Sequence, residues 1–161
     1  MEQKNLNRLK KLFFMLATSG TGAPNVSQLA MEVQTSRTTI MNYVKFLSDA
    51  RLMNMVYRKG DDYPKKPARL LMHNTNLMHV MTPGRVDRQD MIETFFMNAV
   101  SAKHKLNVSD RSSTFMLDGK HRFRIMDEVP RRKATDVIYV CSDRREGEGQ
   151  EIPLWMFGLL Y

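Results

Sequence analysis

The sequence contains a single cysteine and no long apolar run, and each of these absences excludes a class of protein. Cys141 alone cannot form a disulfide framework within the chain, so we expect a reducing environment and a cytoplasmic protein. No apolar segment approaches the roughly 20 residues that span a bilayer, so we expect no contact with a membrane. The glycine-rich stretch GTGAPN is not followed by Gly-Lys-Ser/Thr, and the chain therefore carries no recognisable phosphate-binding loop. The histidines lie far apart in the chain, and we expect neither a zinc site nor another cofactor.

The first residues have a charged start and an apolar patch, a combination also found in signal peptides. Their apolar side chains recur at helical spacing with basic residues between them, which favours an amphipathic helix instead. The positions on this predicted face are Leu6, Leu9, Leu12, Phe13 and Leu16.

Positive charge is concentrated in the first half of the chain. Residues 1–82 contain 12 Lys and Arg against 5 Asp and Glu, whereas residues 83–161 contain 13 against 12. An excess confined to one half indicates a surface for an anionic partner, and nucleic acid is the usual one. The alternative is ordinary solubility charge on a small domain. We divide the chain at this point into two predicted domains, residues 1–82 and 83–161.

The first domain has the pattern of a winged helix-turn-helix. Asn25 is a suitable cap for a short helix ending near Val33, and Gln28 stands where a capping box requires it. Thr35 or Ser36 then caps a longer helix, RTTIMNYVKFLSDARL. Two predicted strands follow, LMNMVYR and RLLMHN, separated by the polar loop KGDDYPKKPA. Helices followed by a hairpin with a basic loop define a winged helix.

The longer helix presents its polar side chains away from its apolar stripe, Ile40, Val44 and Leu47. An outward cluster of Arg, Thr and Asn at the start of a helix is typical of contacts with base edges and phosphates in a DNA major groove. Loop lysines are suited to the phosphate backbone. A solvated face or a protein-docking face, which Met41 would favour, remains the alternative. The candidate DNA-binding residues are Arg37, Thr38, Asn42, Lys45, Lys59, Lys65 and Lys66.

The second domain reads as a small α/β layer, which makes the whole chain α+β. A helix over RQDMIETFFMNAVSAKH places Met91, Phe95, Phe96 and Val100 along one side. A hairpin turning at Asp118-Gly119 and the buried strand ATDVIYVCS follow, and IPLWMFGLLY closes the chain as an apolar helix or tail.

A three-residue turn over Asp118-Gly119-Lys120 gives the hairpin one apolar face, because it sets Phe115 opposite Phe123. The same register sets Ser113 opposite Ile125 and Thr114 opposite Arg124. A two-residue turn would instead divide the aromatic side chains between the two faces.

Four segments resemble one known family: APNVSQLAMEVQTSRTTIMNYVKFLSDARLMN, KPARLLMHNTNLMHVM, ETFFMNAV and IPLWMFGLLY. They are similar, in order, to the C-terminal half of a family of prokaryotic AAA-type P-loop ATPases. That half joins a winged helix to a restriction-endonuclease-like domain of uncharacterised function. Because the ATPase core precedes this half in the family, the resemblance implies the chain's own ATPase core, or a partner's, as an interaction partner.

The resemblance also implies a nuclease site that has lost its chemistry. The family pattern has Asp before the Phe of the first hairpin strand, and Glu, an apolar residue and Gly-Gly-Lys on the second. Thr114 and Arg124 stand at the two acidic positions here, and only Glu93 in the preceding helix matches the family. A guanidinium repels Mg²⁺, so the site is expected to be degenerate, with Arg122 and Arg124 binding a phosphate or solvated.

Two other interpretations of the acidic residues remain open. Asp127 and Glu128 would supply metal ligands if the second strand were shifted. Glu93 would alternatively be a helix-start charge favoured by the helix dipole.

From these observations we expect a non-catalytic module that binds duplex DNA through its winged helix. The alternative is a protein-interaction module that docks through Met41 and the apolar C-terminal segment around Trp155 and Phe157. A metal-dependent nuclease is the third hypothesis. The oligomeric state does not follow from the sequence.

Overall fold

The computed structural model describes residues 3–109 and 114–160, and it confirms a mixed α+β protein. The chain divides into two compact units, Met1–Val86 and Asp87–Tyr161, four residues beyond the boundary expected from the sequence. Within the described ranges, none of the helices combines the length and the apolar character that crossing a membrane requires.

The first unit consists of helices and one two-stranded antiparallel sheet. Its elements are α1 (Gln3–Thr18), α2 (Val26–Val33), α3 (Arg37–Asp49), β1 (Met53–Val56), β2 (Arg69–Met72) and α4 (Thr75–Met81). The two strands pair from Met53 with Met72 to Val56 with Arg69, and residues 57–68 form the loop between them.

Side-chain caps determine where α2 and α3 begin. The side-chain oxygen Oδ1 of Asn25 accepts a hydrogen bond of 3.2 Å from the backbone N–H of Gln28, as predicted. The Gln28 side chain donates instead to Glu32, so only half of the expected capping box forms. Of the two candidate caps for α3, Ser36 is the one used, because its hydroxyl accepts from the backbone N–H of Thr39 at 3.1 Å.

The core of the first unit is built from the predicted helix faces. Ile40, Val44 and Leu47 of α3 are buried, and they pack in one cluster with the buried leucines of α1. Those leucines are Leu9, Leu12 and Leu16, while Leu6 and Phe13 lie at the half-buried margin of the same face. The amphipathic helix predicted at the start of the chain is therefore confirmed as part of a core.

The short helix α4 was not predicted from the sequence. It begins after Asn74, whose side chain accepts a hydrogen bond of 2.7 Å from the backbone N–H of Asn76. Met78 buries its side chain in the core of the first unit. The helix extends over only seven residues, too few for a helical period to stand out.

The second unit is a five-stranded mixed sheet with helices on one face. Its elements are α5 (Arg88–Ser101), β3 (Leu106–Val108), β4 (Thr114–Leu117), β5 (His121–Met126), β6 (Val137–Cys141), β7 (Glu151–Pro153) and a 3₁₀ helix (Leu154–Leu159). The strands lie in the order in which they occur in the sequence. Pairing is antiparallel from β3 to β5 and parallel from β5 to β7.

Two features of this sheet differ from the sequence analysis. The edge strands β3 and β7 were not predicted, because each is only three residues long. The closing segment is not an α-helix or tail, since its first residues join the sheet and the rest form the 3₁₀ helix. Residues 127–136 and 142–150 connect parallel strands without a helix, although such connections usually contain one.

The register of the β4–β5 hairpin is confirmed. Phe115 pairs with Phe123 and Thr114 with Arg124. Asp118 and Gly119 adopt φ angles of 51° and 68°, the left-handed region that Gly and Asp tolerate best. The expected partnership of Ser113 with Ile125 involves a residue outside the described range.

An aromatic cluster between α5 and the sheet forms the core of the second unit. The ring of Phe96 lies 6.1 Å from Phe115, 5.4 Å from Phe123 and 4.9 Å from Phe157, centroid to centroid. Because α5 packs against β3, β5 and the 3₁₀ helix, more than one side of it is enclosed. The predicted single stripe was therefore wrong in part: Met91 and Phe95 are only half-buried, whereas the side chains of Ile92, Glu93, Thr94 and Met97 are buried.

A smaller cluster covers the other face of the sheet. Val137, Tyr139 and Cys141 of β6 are buried there against Met126, Val129 and Ala134. The Tyr139 hydroxyl accepts a hydrogen bond of 2.9 Å from the backbone N–H of Ala134. The irregular connection 127–136 thus serves as the cover that a helix supplies in other parallel sheets.

Candidate nucleic-acid interface

The outward face of α3 carries most of the predicted contact residues. Arg37, Thr38 and Asn42 are exposed, while Met41 and Lys45 are half-buried. This arrangement follows from the buried stripe on the opposite side of the helix. The polar side chains at the start of α3 are thus accessible to a large ligand.

The start of α3 and the loop 57–68 together form one groove of about 270 Å³. We call it the α3–loop groove. Its polar walls are Arg37, Thr38 and Asn42 from α3 and Lys66 from the loop, and the remaining lining is Val26, Met41, Tyr63 and Pro64. Four of the seven predicted DNA-binding residues are therefore adjacent, although 24 positions separate Asn42 from Lys66 in the sequence.

Sequence reasoning missed Tyr63, which joins the two sides of the groove. Its hydroxyl donates a hydrogen bond of 2.7 Å to Asn42 Oδ1. The ring is 37% exposed, so the bond lies at the surface of the unit. The available signal was the isolated aromatic residue in an otherwise polar, charged loop.

The other predicted basic residues lie apart from the groove lining. Lys45 forms an ion pair with Asp49, and Lys65 forms one of 2.7 Å with Asp61. Lys59 is exposed. Surface ion pairs of this kind contribute little to stability, so these ammonium groups can exchange a carboxylate for a phosphate at small cost.

The difference in net charge between the two parts of the chain is larger when the chain is divided after Val86, where the first compact unit ends. Residues 1–86 contain 13 Lys and Arg against 5 Asp and Glu, a net charge of +8. Residues 87–161 contain 12 of each, a net charge of zero. The whole positive excess of the chain thus belongs to the unit that holds the α3–loop groove.

The residues of the predicted degenerate nuclease site in the second unit lie on α5 and on the β4–β5 hairpin. Arg124, the backbone partner of Thr114, is half-buried, and Arg122 forms an ion pair with Asp136. Among residues 3–109 and 114–160, no group of three or more His, Cys, Asp or Glu side chains is placed to hold a metal ion.

Glu93 is buried, with 2% of its surface exposed. The Gln89 side-chain amide donates a hydrogen bond of 2.9 Å to Glu93 Oε1 and one of 2.8 Å to the backbone carbonyl of Ile125. The side chain is enclosed in the second turn of α5, beyond the first turn in which a helix-start charge gains most from the helix dipole. Because it is buried, this carboxylate is part of the interior of the second unit.

Asp127 is engaged with other side chains. Both of its carboxylate oxygens lie 2.9 Å from Arg88 Nε, and the Ser142 hydroxyl donates to one of them. The Ser142 hydrogen bond and the Arg88 charge hold the pKa of Asp127 below its ordinary value. Its neighbour Glu128 is exposed, and the two do not form part of a metal-binding group within the described residues.

A buried carboxylate on β7 was also missed. Glu151 is 5% exposed, accepts a hydrogen bond from Lys133 Nζ and lies 2.9 Å from Arg144 Nη2. The Lys133 hydrogen bond, followed by the charge of Arg144, lowers the pKa of Glu151 even though burial opposes this effect. The sequence signal was a single acid directly before the apolar run IPLW.

The C-terminal apolar segment is divided between core and surface. Phe157 is buried in the aromatic cluster, whereas Trp155 and Leu159 are 55% and 73% exposed. The Trp155 indole N–H donates a hydrogen bond of 3.2 Å to the backbone carbonyl of Arg145. Only part of the docking surface expected from the sequence is therefore accessible.

Comparisons of the chain with models of protein families, with curated proteins and with solved structures each found no match.

The chemistry of the α3–loop groove is well defined. Its polar groups are a guanidinium, a hydroxyl, a primary amide and an ammonium, and all four can donate hydrogen bonds. Such a set is complementary to a surface rich in anionic and acceptor oxygens.

Proposed function

We propose that the first unit is a winged helix-turn-helix that binds duplex DNA. In this proposal the start of α3 enters the major groove, and the loop 57–68 lies along the phosphate backbone. The observation that carries the proposal is that Arg37, Thr38, Asn42 and Lys66 line one exposed groove. The net charge of +8 in this unit supports it, because phosphate contacts supply most of non-specific affinity for DNA.

The measurement that tests this function is duplex affinity across a series of salt concentrations. Affinity should fall steeply as salt rises, because cations released from the phosphates drive binding. Arg37→Ala should weaken binding by about ten- to a hundredfold and reduce the slope of log affinity against log salt by about 1. The matched control is Lys10→Ala, which removes an equal charge from an exposed site on α1.

Either of two results would contradict DNA binding. The first is an affinity that does not respond to salt. The second is an equal loss of affinity in Arg37→Ala and Lys10→Ala, which would indicate a response to net charge without a defined site.

For the second unit we propose a restriction-endonuclease-like frame without catalytic activity, as the resemblance to the C-terminal half of AAA-type ATPases implies. The pairing of Thr114 with Arg124 supports this proposal, since a guanidinium beside the expected metal position repels a divalent cation. In this view the whole chain is a non-catalytic, cytoplasmic DNA-binding module that works with an ATPase core.

Incubating the protein and a supercoiled plasmid with Mg²⁺ or Mn²⁺ tests the loss of chemistry. We expect no nicking above the background of a Glu93→Ala preparation purified in parallel. Metal-dependent cleavage that disappears in Glu93→Ala would establish a nuclease and reject this part of the proposal.

Exposure of Trp155 and Leu159 supports a second candidate, in which the second unit docks on a protein surface. Since the chain has a single tryptophan, its fluorescence reports directly on this segment. Docking on a purified AAA-type ATPase core should shift the emission to shorter wavelength, and Leu159→Ala should weaken that interaction. An unchanged spectrum at saturating core protein would contradict it.

A further inference from the structure

The hydrogen bond between Tyr63 and Asn42 connects the loop 57–68 to α3 across the α3–loop groove. The donor is the tyrosine hydroxyl, the acceptor is Asn42 Oδ1, and the two atoms are 2.7 Å apart. Oδ1 and Nδ2 point in different directions from the same planar carbon, so fixing the oxygen toward the loop turns the amide nitrogen away from it. The exposed end of Asn42 is thus a donor of two hydrogen bonds.

The other polar groups of the groove are also donors. Arg37 and Lys66 carry no acceptor, and the Thr38 hydroxyl can donate. Asn42 supplies the one carbonyl among these four side chains, and Tyr63 engages it. Because Tyr63 engages this carbonyl oxygen, the polar groups that remain accessible in the groove are mainly hydrogen-bond donors.

Bases differ in how well they match such a surface. In the major groove guanine presents two acceptors, N7 and O6, whereas adenine presents the N7 acceptor beside an N6 donor. Pairing an Asn side chain with adenine uses both the amide nitrogen and the carbonyl oxygen. A side chain whose oxygen is held by Tyr63 is poorly placed for that arrangement, while its nitrogen and the Arg37 guanidinium suit guanine.

We infer that Tyr63 is a positioning residue that biases the α3–loop groove toward guanine over adenine. This inference rests on the proposed DNA binding and names the base edge that the groove selects. Tyr63 acts through Asn42, and it also holds the loop bearing Lys66 against α3.

The test is selection of bound sequences from a library of random duplexes, with Tyr63→Phe as the variant. This change removes one hydroxyl and leaves the ring in place. The matched control is Tyr43→Phe, which removes the same atom from a half-buried position on α3 outside the groove lining. Thermal unfolding of all three proteins verifies that each is folded.

The wild type and Tyr43→Phe should enrich sites containing guanine. Tyr63→Phe should reduce the preference for guanine over adenine at one position by about three- to tenfold, the effect of losing one hydrogen bond. In NMR spectra without DNA, the Asn42 side-chain amide resonances should shift in Tyr63→Phe and remain in place in Tyr43→Phe.

Each opposing result is distinguishable from failure of DNA binding itself. Salt-dependent binding without base preference, or an adenine preference in the wild type, would overturn the inference and leave the proposed function intact. Unchanged Asn42 resonances in Tyr63→Phe would overturn it without reference to DNA. Absence of any binding to the library would reject the proposed function and the inference with it.

Discussion

At the scale of single residues, Glu151 couples the stability of the second unit to pH. Its pKa is lower in the folded protein than its ordinary value of 4.5, chiefly because Lys133 donates a hydrogen bond to it. The stabilisation is therefore complete above about pH 4.5 and is lost as pH falls through the lowered folded value. Asp127, whose pKa is also lowered, acts in the same direction at acidic pH.

Glu151→Gln should lower the melting temperature at neutral pH, because Lys133 and Arg144 lose their ionised partner. The variant should also lose less stability than the wild type between about pH 5 and pH 2. Melting curves recorded over this range provide the measurement. Glu148→Gln is the control, since this exposed neighbour should follow the wild type at every pH. Parallel curves for wild type and Glu151→Gln would show that the buried carboxylate is not what titrates.

At the scale of elements, the start of α3 depends on one hydroxyl. Ser36→Ala removes the cap and should destabilise the first unit by about 1 kcal/mol. Thr35→Ala is a stringent control, because Thr35 is one residue away and was an equal candidate from the sequence. Urea unfolding followed by helical circular dichroism should place the Ser36→Ala midpoint below that of Thr35→Ala. Equal midpoints would mean that the Ser36 hydroxyl does not support the helix.

Elements with a strong local pattern were predictable, and those defined by distant contacts were not. The buried stripe of α3 and the β4–β5 register follow from periodicity and from one tight turn. The strands β3 and β7 are too short to show alternation, and their identity comes from pairing with neighbours in the sheet. The irregular cover over β6 likewise depends on packing that adjacent residues do not encode.

The candidate site likewise has residues that the local sequence predicted and residues that depend on distant contacts. Arg37, Thr38 and Asn42 were predicted because all three follow from the orientation of one helix. Tyr63 and the distinction of Lys66 from Lys65 depend on how a twelve-residue loop folds back toward that helix. Glu93 was expected from the resemblance alone, and its burial depends on how α5 packs within the unit, which the local sequence does not encode.

At the scale of the whole molecule, each unit has its own apolar core. Phe96 has no exposed surface and contacts three aromatic rings of the second unit. Phe96→Ala should therefore destabilise this unit by about 3–5 kcal/mol. Because the core of the first unit is built from other residues, we expect two separate unfolding transitions in this variant.

Denaturant unfolding monitored by Trp155 fluorescence, together with DNA affinity at the same denaturant concentrations, tests this independence. Trp155 reports on the second unit, and DNA binding is expected to report on the first. Affinity should stay within about twofold of the wild type after the first transition of Phe96→Ala. Simultaneous loss of both signals would mean that the units unfold as one cooperative structure. Met156→Ala, a partly exposed position, should leave both signals near those of the wild type.

The two edge strands of the five-stranded sheet are short, which affects how readily the protein self-associates in concentrated solution. Leu106–Val108 and Glu151–Pro153 are three residues each, and Pro153 has no N–H to offer a further strand. Short margins and proline are the means by which natural sheets oppose fibre growth and cross-molecule strand exchange. The parallel part of this mixed sheet, from β5 to β7, is expected to form more slowly than the β4–β5 hairpin, and the short edges protect the sheet from self-polymerisation once it has closed.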